Sequence, residues 1–599
     1  QYNCHPNFPV SVRRRRMRAA MARDAKQPIE PVQTAPAPAL HQGERGRFWR
    51  RGEPLVWTTA AALAGMLTLV FLLLAVVLVN GLGVFWPKPV AEVTLAGGTK
   101  FFGQPIRSTV NPDDHQSSTQ FKTANREQDP QRQDFRWIRD DAIAKTTYPP
   151  GVLVLERAEN GDFYGFAKGV AGPDVAPSSE GSKIAELSEA IAAIRRKAAE
   201  RVAPISAELS ALGDQLQKIE GKVLVLSYRR DRLAVDTGTD RPPAPQTSRV
   251  DLDHQIAALQ AEYRRIKGQF EQLSNRQQQQ ESELRRNVAI MTDAAGKETP
   301  VALADIVRFY DPNDMGFWAK CGHYLSKIGE LLCDKPRESN TEGGLFPAIF
   351  GTVMLIFLMA ITCFPLGVLA GIYLGEYAKD GFFVRLVRIA VNNLAGIPSI
   401  VYGIFGLGFF VYGIGGLLDQ WCFPERVAAG TPTFGTGGIL WASLTLGLLT
   451  VPVVIVSTEE ALRAIPRATR EGSFALGATK FQTLVRVLVP MASPGMMTGF
   501  ILAMARAAGE VAPLMITGVV KLAPQMPLDG SFPFFHLDRK FMHLGFHIYD
   551  VGFQSPNVEA SKPMVFVTTL LLLLIVLVMS SAAIYLRNRM KRRYQVRTI

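Results

Sequence analysis

The amino-acid sequence predicts an α-helical polytopic membrane protein with six transmembrane helices, carrying a small β-rich unit and a helical, coiled-coil-like hairpin inserted after the first span. Three observations predict this. Six apolar stretches reach the roughly 20 residues that a helix needs to cross the hydrocarbon core of a bilayer. The short loops on one side of these stretches are basic, as cytoplasmic loops are. The long segment 87–344 between the first two stretches shows strand-like and then helix-like periodicity.

A chain of 599 residues is expected to hold several modules. Its formal charge of +13 raises the question of nucleic acid. The basic excess sits beside apolar runs, however, at Arg13 to Arg16, Arg45, Arg47, Arg50 and Arg51, and again at Arg587, Arg589, Lys591, Arg592, Arg593 and Arg597. That placement is an orientation signal of a membrane protein, so nucleic acid is not expected as a partner.

Residues 1–54 read as a basic cytoplasmic segment and 55–86 as the first transmembrane helix, whose apolar run starts near Leu55, contains TLVFLLLAVVLV and is as a whole too long for a cleavable signal. Residues 87–181 carry short β-like runs with turns at Gly97-Gly98 and Asn160-Gly161, a hairpin signal. Residues 182–291 change to helical periodicity. Leu252, Ile256, Leu259, Tyr263, Ile266, Phe270 and Leu273 keep an alternating 4,3 spacing, a heptad seam. The preceding stretch slips in phase around Pro204, and RPPAPQ (241–246) separates the two as a helix breaker. An antiparallel helical hairpin, serving as a spacer or docking arm, is expected. Residues 292–344 read as an amphipathic connector whose helix FWAKCGHYLSKIGELLCDK lies at the membrane surface. His323 has no second ligand at metal spacing and is expected to be structural. A helix from Cys321 to Cys333 rises about 18 Å. A disulfide needs the Cα atoms within about 7 Å, so both are expected as unpaired thiols.

Residues 345–586 hold five further spans, near 345–374, 389–418, 438–456, 495–520 and 563–586, and a basic tail occupies 587–599. With the Arg-rich N-terminus in the cytoplasm, the loops at 375–388 and 457–494 and the tail are also inside, and each is basic. Residues 87–344 then lie outside. Within the fifth span, Arg506 and Glu510 stand four residues apart on one helical face. Charges at mid-membrane are costly, by about 2.5–3.5 kcal/mol on insertion scales, and so are paired and often functional. Arg506 is expected to contact an anion in transit, with Glu510 holding it. A purely structural pair between helices is the alternative. Asn392 and Asn393, near the inner end of the third span, are expected to hydrogen-bond between helices.

In the loop 457–494, Glu471-Gly472-Ser473 is followed by three residues, Gly477, nine residues, and Val487-Leu488-Val489-Pro490. This spacing resembles the loop of ABC importer permeases, which reads E-A-A, three residues, G, nine residues, I-x-L-P. The runs NTEGGLFPAIFGTVML, PLGVLAGIYLGEYA, IPSIVYGIFG and GMMTGFILAMARAAGEVAPLM closely resemble the A-type permease of the phosphate importer, the PstA family, over roughly residues 339–586. The resemblance implies a type I ABC importer permease fold, in a version lengthened by the insertion. It also implies that two short helices joined at Gly477 dock into a cleft of the ATPase. Glu471, Gly472, Ser473, Gly477, Val487 and Pro490 would then be the coupling residues. There is no GxxxxGK[ST] phosphate loop, so ATP hydrolysis is expected from a separate subunit, with no catalytic residue, metal or cofactor in this chain. The implied partners are two ATPase copies, a second related permease, an extracytoplasmic phosphate-binding protein, phosphate and membrane lipid, in a bacterial inner membrane. Two alternatives stand beside this reading. One is an importer of another oxyanion such as sulfate. The other is a membrane-anchored scaffold or sensor that works through the hairpin, which leaves the Gly477 loop unexplained.

Overall fold

A computed structural model describes residues 53–110, 116–126, 135–175, 182–235, 246–337, 342–530, 532, 534–555 and 558–594. The basic segment 1–52, the breaker residues 241–245, Asn340 and Thr341 of the second span's approach, and tail residues 595–599 lie outside the described residues. Contacts divide the chain into residues up to Leu73 and from Leu74 onward, a boundary inside the first helix, Glu53–Gly83. In the first unit that helix exposes Leu63, Leu67, Phe71 and Leu73, as a segment apolar on every side does when lipid is its solvent.

The larger unit begins with two antiparallel sheets. The first has the order β4-β3-β2-β1-β5, from β1 (Ala91–Leu95), β2 (Lys100–Val110), β3 (Ser117–Lys122), β4 (Phe135–Arg139) and β5 (Ile143–Thr147). The second has the order β10-β6-β7-β8-β9, from β6 (Leu153–Arg157), β7 (Phe163–Ala171), β8 (Val288–Thr292), β9 (Glu298–Ala302) and β10 (Ile306–Tyr310). Both expected turns form. Gly98 takes φ +81° between β1 and β2, and Asn160 and Gly161 take φ +67° and +66° between β6 and β7. The Arg157 guanidinium closes the latter turn by donating to the carbonyls of Asn160 and Gly161, each at 2.9 Å.

Here the domain boundaries of the sequence reading need correction. The β-rich unit does not end at residue 181. It takes β8, β9 and β10 from residues 288–310, which had been divided between the hairpin and an amphipathic connector. Val170 of β7 pairs with Ala289 of β8, so the helical segment is an insertion between two neighbouring strands of one sheet. Three five-residue strands carry too few alternations to outweigh the helical pattern before them. The insertion starts with helix Lys183–Arg201, whose Leu187, Ile191 and Ile194 bury against Leu155, Phe163 and Met291 of the second sheet. The chain breaks at Val202, next to Pro204, and continues as Ala203–Val235, which packs along Gln246–Arg285. Each of the seven seam residues from Leu252 to Leu273 is buried or half-buried, and their neighbours on the other faces are mostly exposed.

Helix Phe317–Cys333 exposes Phe317, Trp318 and Leu325, an apolar surface suited to the bilayer boundary. It contains both Cys321 and Cys333, which are free thiols.

Among the described residues, six helices are long and apolar enough to cross a membrane: Leu55–Gly83, Phe346–Tyr377, Ser399–Cys422, Ile439–Arg463, Lys480–Gly509 and Ser561–Arg593. The fourth is central, packing on the second, third and fifth. Small residues permit this. A Cβ at Gly371 would lie 2.6 Å from the Thr458 side chain, and one at Gly499 would fall on Ser457. Without hydrophobic attraction between helices in lipid, such close backbone approach is a main source of association. Several boundaries differ from expectation: the fourth span runs on to Arg463 and the fifth begins at Lys480. The third span starts at Ser399, because Pro398 cannot extend a helix across the turn at Gly396. Residues Phe382–Leu394 form a separate helix, so Asn392 and Asn393 are not in a span. Both are exposed, and neither side chain bonds to another helix among the described residues. The fifth span ends at Gly509 rather than near residue 520.

Candidate functional site

The fourth span ends at Arg463, and the chain turns through Pro466 into helix Arg467–Ala475. That helix closes on Gly477 at φ +82°. The amide of Ala478 donates to the Ser473 carbonyl at 3.2 Å and that of Gly477 to the Phe474 carbonyl at 2.9 Å, which together form a Schellman cap. A side chain at position 477 would be strained by the backbone and not by neighbours, since nothing lies within 4 Å of its Cβ position. Two residues on, the next helix starts with a capping box. The Gln482 amide donates to Thr479 Oγ1 at 3.2 Å, and the Thr479 amide donates to Gln482 Oε1 at 2.9 Å. Two short helical segments therefore meet at Gly477.

The other coupling candidates sort into contact and support. Glu471 and Gly472 are exposed. Ser473 Oγ is 2.9 Å from Thr483 Oγ1 and ties the two segments together. Val487 is half-buried in the wide turn Leu484–Leu488, which precedes Pro490. Proline has no amide to give to residue 486, so the helix there loosens from i→i+4 to i→i+5 bonding.

Several residues of this site escaped sequence reasoning. Phe474, Leu476 and Phe481 project apolar side chains into solvent, Leu476 being 91% exposed, so the loop presents an uncovered apolar tip. Arg470 anchors the loop from behind. It donates to Glu376 Oε1 at 2.6 Å and to the carbonyls of Leu462 and Ile465 at 2.7 and 3.0 Å. Lys480 sits 4.6 Å from the Tyr377 ring centroid. The capping box was visible as Thr-x-x-Gln, whereas the partners from residues 376 and 377 are distant in sequence and left no signal.

The second candidate is the pair in the fifth span. Arg506 Nε and Glu510 Oε1 are 3.4 Å apart, with side chains 34% and 19% exposed. They do not share one continuous helix, which corrects the expectation. Glu510 is extended, at φ −78° and ψ 132°, and a new helix runs Ala512–Thr517. Pro513 explains the break, since it fits the second position of a new helix but not the interior of an old one. The site lies deep. Gly495 faces Ala461 and Gly499 faces Ser457, and continuing this antiparallel register brings Arg506 level with Thr450, near the middle of the fourth span. A partly open guanidinium thus lies at mid-depth beside a helix break.

His323, expected to be structural, lies against Tyr310 with ring centroids 4.2 Å apart and planes tilted by 45°. Burial, then the charges of Arg308 and Lys327, push its pKa down to about 4.

Residues 367–592 match the family described as binding-protein-dependent transport system inner membrane component. The matched region holds the Gly477 loop and the Arg506 pair, and it excludes the sheets and the hairpin. Among similar proteins, a probable phosphate transport system permease protein PstA of Methanocaldococcus jannaschii is 35% identical over 32% of this chain and 63% of its own. The phosphate transport system permease protein PstA of Mycobacterium leprae is 37% identical over 29% of this chain and 51% of its own. The chain therefore spans less than two thirds of the length of either. A probable ABC transporter permease protein YqgI of Bacillus subtilis is 31% identical over 39% of this chain and 74% of its own. With that coverage, the chain belongs to the family of binding-protein-dependent transport system inner membrane components, as an ABC importer permease of the PstA type.

Proposed function

We propose that this chain is a transmembrane permease subunit of an ATP-driven phosphate importer. It forms part of the translocation pathway and couples to a separate ATPase through residues 457–494. The single observation that carries the coupling role is the Gly477 loop. Two helices meet at a positive-φ glycine and hold an exposed apolar tip, supported from behind by Arg470. Such a tip is a surface awaiting a partner. The sequence similarity to PstA permeases supports phosphate as substrate. The chemistry of Arg506 agrees, because a guanidinium replaces the hydration of a phosphate oxyanion well.

In this reading two ATPase copies meet the loop from the cytoplasm. A second permease related to this one completes the pathway, and an extracytoplasmic binding protein delivers phosphate. The chain sits in a bacterial inner membrane with both termini cytoplasmic and residues 87–344 outside. The basic loops at Lys379, Arg385 and Arg388 and at Arg463, Arg467 and Arg470 support that orientation. Chemistry on ATP belongs to the partner.

Two measurements test the proposal. The complex purified with this chain and reconstituted into vesicles should take up phosphate, and not sulfate, when ATP is supplied on the loop side. Sulfate uptake at an equal rate would replace phosphate by the broader oxyanion class. In a cysteine-free background, a cysteine at Ser274 should react with an impermeant maleimide in intact cells, while one at Ala468 stays protected. The reverse labelling rejects the orientation.

A further inference from the structure

Away from the loop and the Arg506 pair, a cavity of about 610 Å³ opens where the β-rich unit meets the ends of the first and sixth spans. That is the size of a small-molecule site. Its wall combines two chemistries. On one side are Gly83, Trp86, Pro563 and Phe566, from the ends of the two spans. The charged part of the lining comes mainly from the sheets, their flanking segments and helix Phe317–Cys333; with Lys562 of the sixth span, the cavity holds seven Lys or Arg residues against four Asp or Glu.

Asp162, Glu156 and Glu330 are held in ion pairs, and Glu342 acts electrostatically on Lys122. Asp162 accepts from Lys122 at 2.5 Å, Glu156 accepts from Lys327 at 2.5 Å, and Glu330 is paired with Arg337 and with Lys327. Lys88 is left over. Its ammonium lines the cavity half-buried, with no hydrogen bond or ion pair among the described residues. Burial, and secondarily the positive charge of Lys122, disfavour its protonated form. A half-buried ammonium facing a second ammonium is unfavourable unless an anion joins them. Lys122 is held charged by Asp162, so the positive potential persists when Lys88 alone adjusts.

We propose that this cavity binds a phosphate-bearing anion, with Lys88 as the group that contacts it. The mixed wall suits either free inorganic phosphate or the headgroup of an anionic phospholipid whose chains leave along the ends of the first and sixth spans. The shared chemistry is the phosphate oxyanion on an ammonium. The inference does not depend on what the permease transports, because the cavity lies outside the matched permease region except at its edge on the sixth span.

The test uses the full chain in nanodiscs, as wild type, Lys88→Gln and Lys88→Arg, all in an Arg506→Gln background so that the mid-membrane guanidinium adds no phosphate binding. Radiolabelled inorganic phosphate is titrated in neutral phosphatidylcholine discs. In parallel, native mass spectrometry counts phosphatidylglycerol retained from mixed discs. Saturable phosphate binding that falls about tenfold or more in Lys88→Gln and survives in Lys88→Arg supports the site with free phosphate as its ligand. Retained phosphatidylglycerol that disappears in Lys88→Gln and survives in Lys88→Arg supports it with lipid as its ligand. Equal binding by Lys88 and Lys88→Gln in both assays, at matched melting temperatures, overturns the proposal. Loss of fold in Lys88→Gln transfers the decision to Lys88→Arg against wild type, where absence of any saturable phosphate or lipid binding overturns it.

Discussion

The Arg470 guanidinium on helix Arg467–Ala475 donates to the Glu376 carboxylate at the end of the second span, at 2.6 Å, with both side chains largely enclosed. The apolar tip of the loop is thereby tied to the second span, so under the proposed coupling role motion imposed on the tip would reach that span through an ion pair. Replacing Glu376 with Gln should weaken the loop's attachment by about 1.5–3 kcal/mol, the range for hydrogen bonds to charged groups. Expected results are a several-fold drop in ATPase co-purification and a matching drop in transport. A double-mutant cycle with Arg470→Gln checks the linkage, and additive losses would show that the two residues act independently.

Gly477 is where the loop depends on backbone geometry. At φ +82° a β-branched residue is strained, although no neighbouring atom obstructs it. Gly477→Val should therefore abolish ATPase association and leave membrane insertion intact. Gly477→Asn, which tolerates the left-handed region, should retain a good part of it. Glu471→Ala should be milder than Gly477→Val, since an exposed polar contact is more easily replaced than a Schellman cap. Normal uptake by Gly477→Val would refute the coupling role.

For Arg506 and Glu510 the outcome distinguishes a pathway role from a structural one. Arg506→Gln should stop uptake of phosphate while the complex assembles and hydrolyses ATP. If the pair only stabilises the helix break, removing one partner strands a charge and damages assembly. Arg506→Gln/Glu510→Gln would then restore transport along with assembly. Assembly without transport in the double variant is the expected result, because one end of the pair is open at 34% exposure.

The pKa of His323 implies a pH dependence of stability. It falls from the ordinary 6.5 to about 4 in the folded chain, chiefly through burial and then through Arg308 and Lys327. Above about 6.5 the ring is neutral in both states and adds no pH dependence. Between 6.5 and 4 only the unfolded state takes up the proton, so stability falls as pH falls through this window. Below about 4 both states are protonated and the dependence flattens. His323→Phe keeps a ring against Tyr310 and removes the titration. The variant's melting temperature should drop less than that of the wild type between pH 7 and 4.5. Parallel pH profiles would exclude the assignment.

The six spans, the heptad seam from Leu252 to Leu273 and the turns at Gly98 and Asn160-Gly161 were legible because each follows from local properties. These are apolar length, a 3.5-residue repeat, and the backbone freedom that a left-handed turn requires. The meeting of two helices at Gly477 was legible only through a resemblance of spacing, yet its positive φ follows from the residue itself. The tertiary structure decided what depends on distant partners. It joined Val170 to Ala289 across the whole helical insertion, and so assigned residues 288–310 to a sheet, where local pattern had divided them between hairpin and connector. It ended the fifth span at Gly509, where Pro513 and the packing of Ala512–Thr517 on the third and fourth spans outweigh a continuous apolar run. It paired Arg470 with Glu376 and left the Lys88 ammonium without a partner among the described residues. Strand pairing, ion pairing and enclosure are relations between residues far apart in sequence, and only the folded chain brings them within reach of one another.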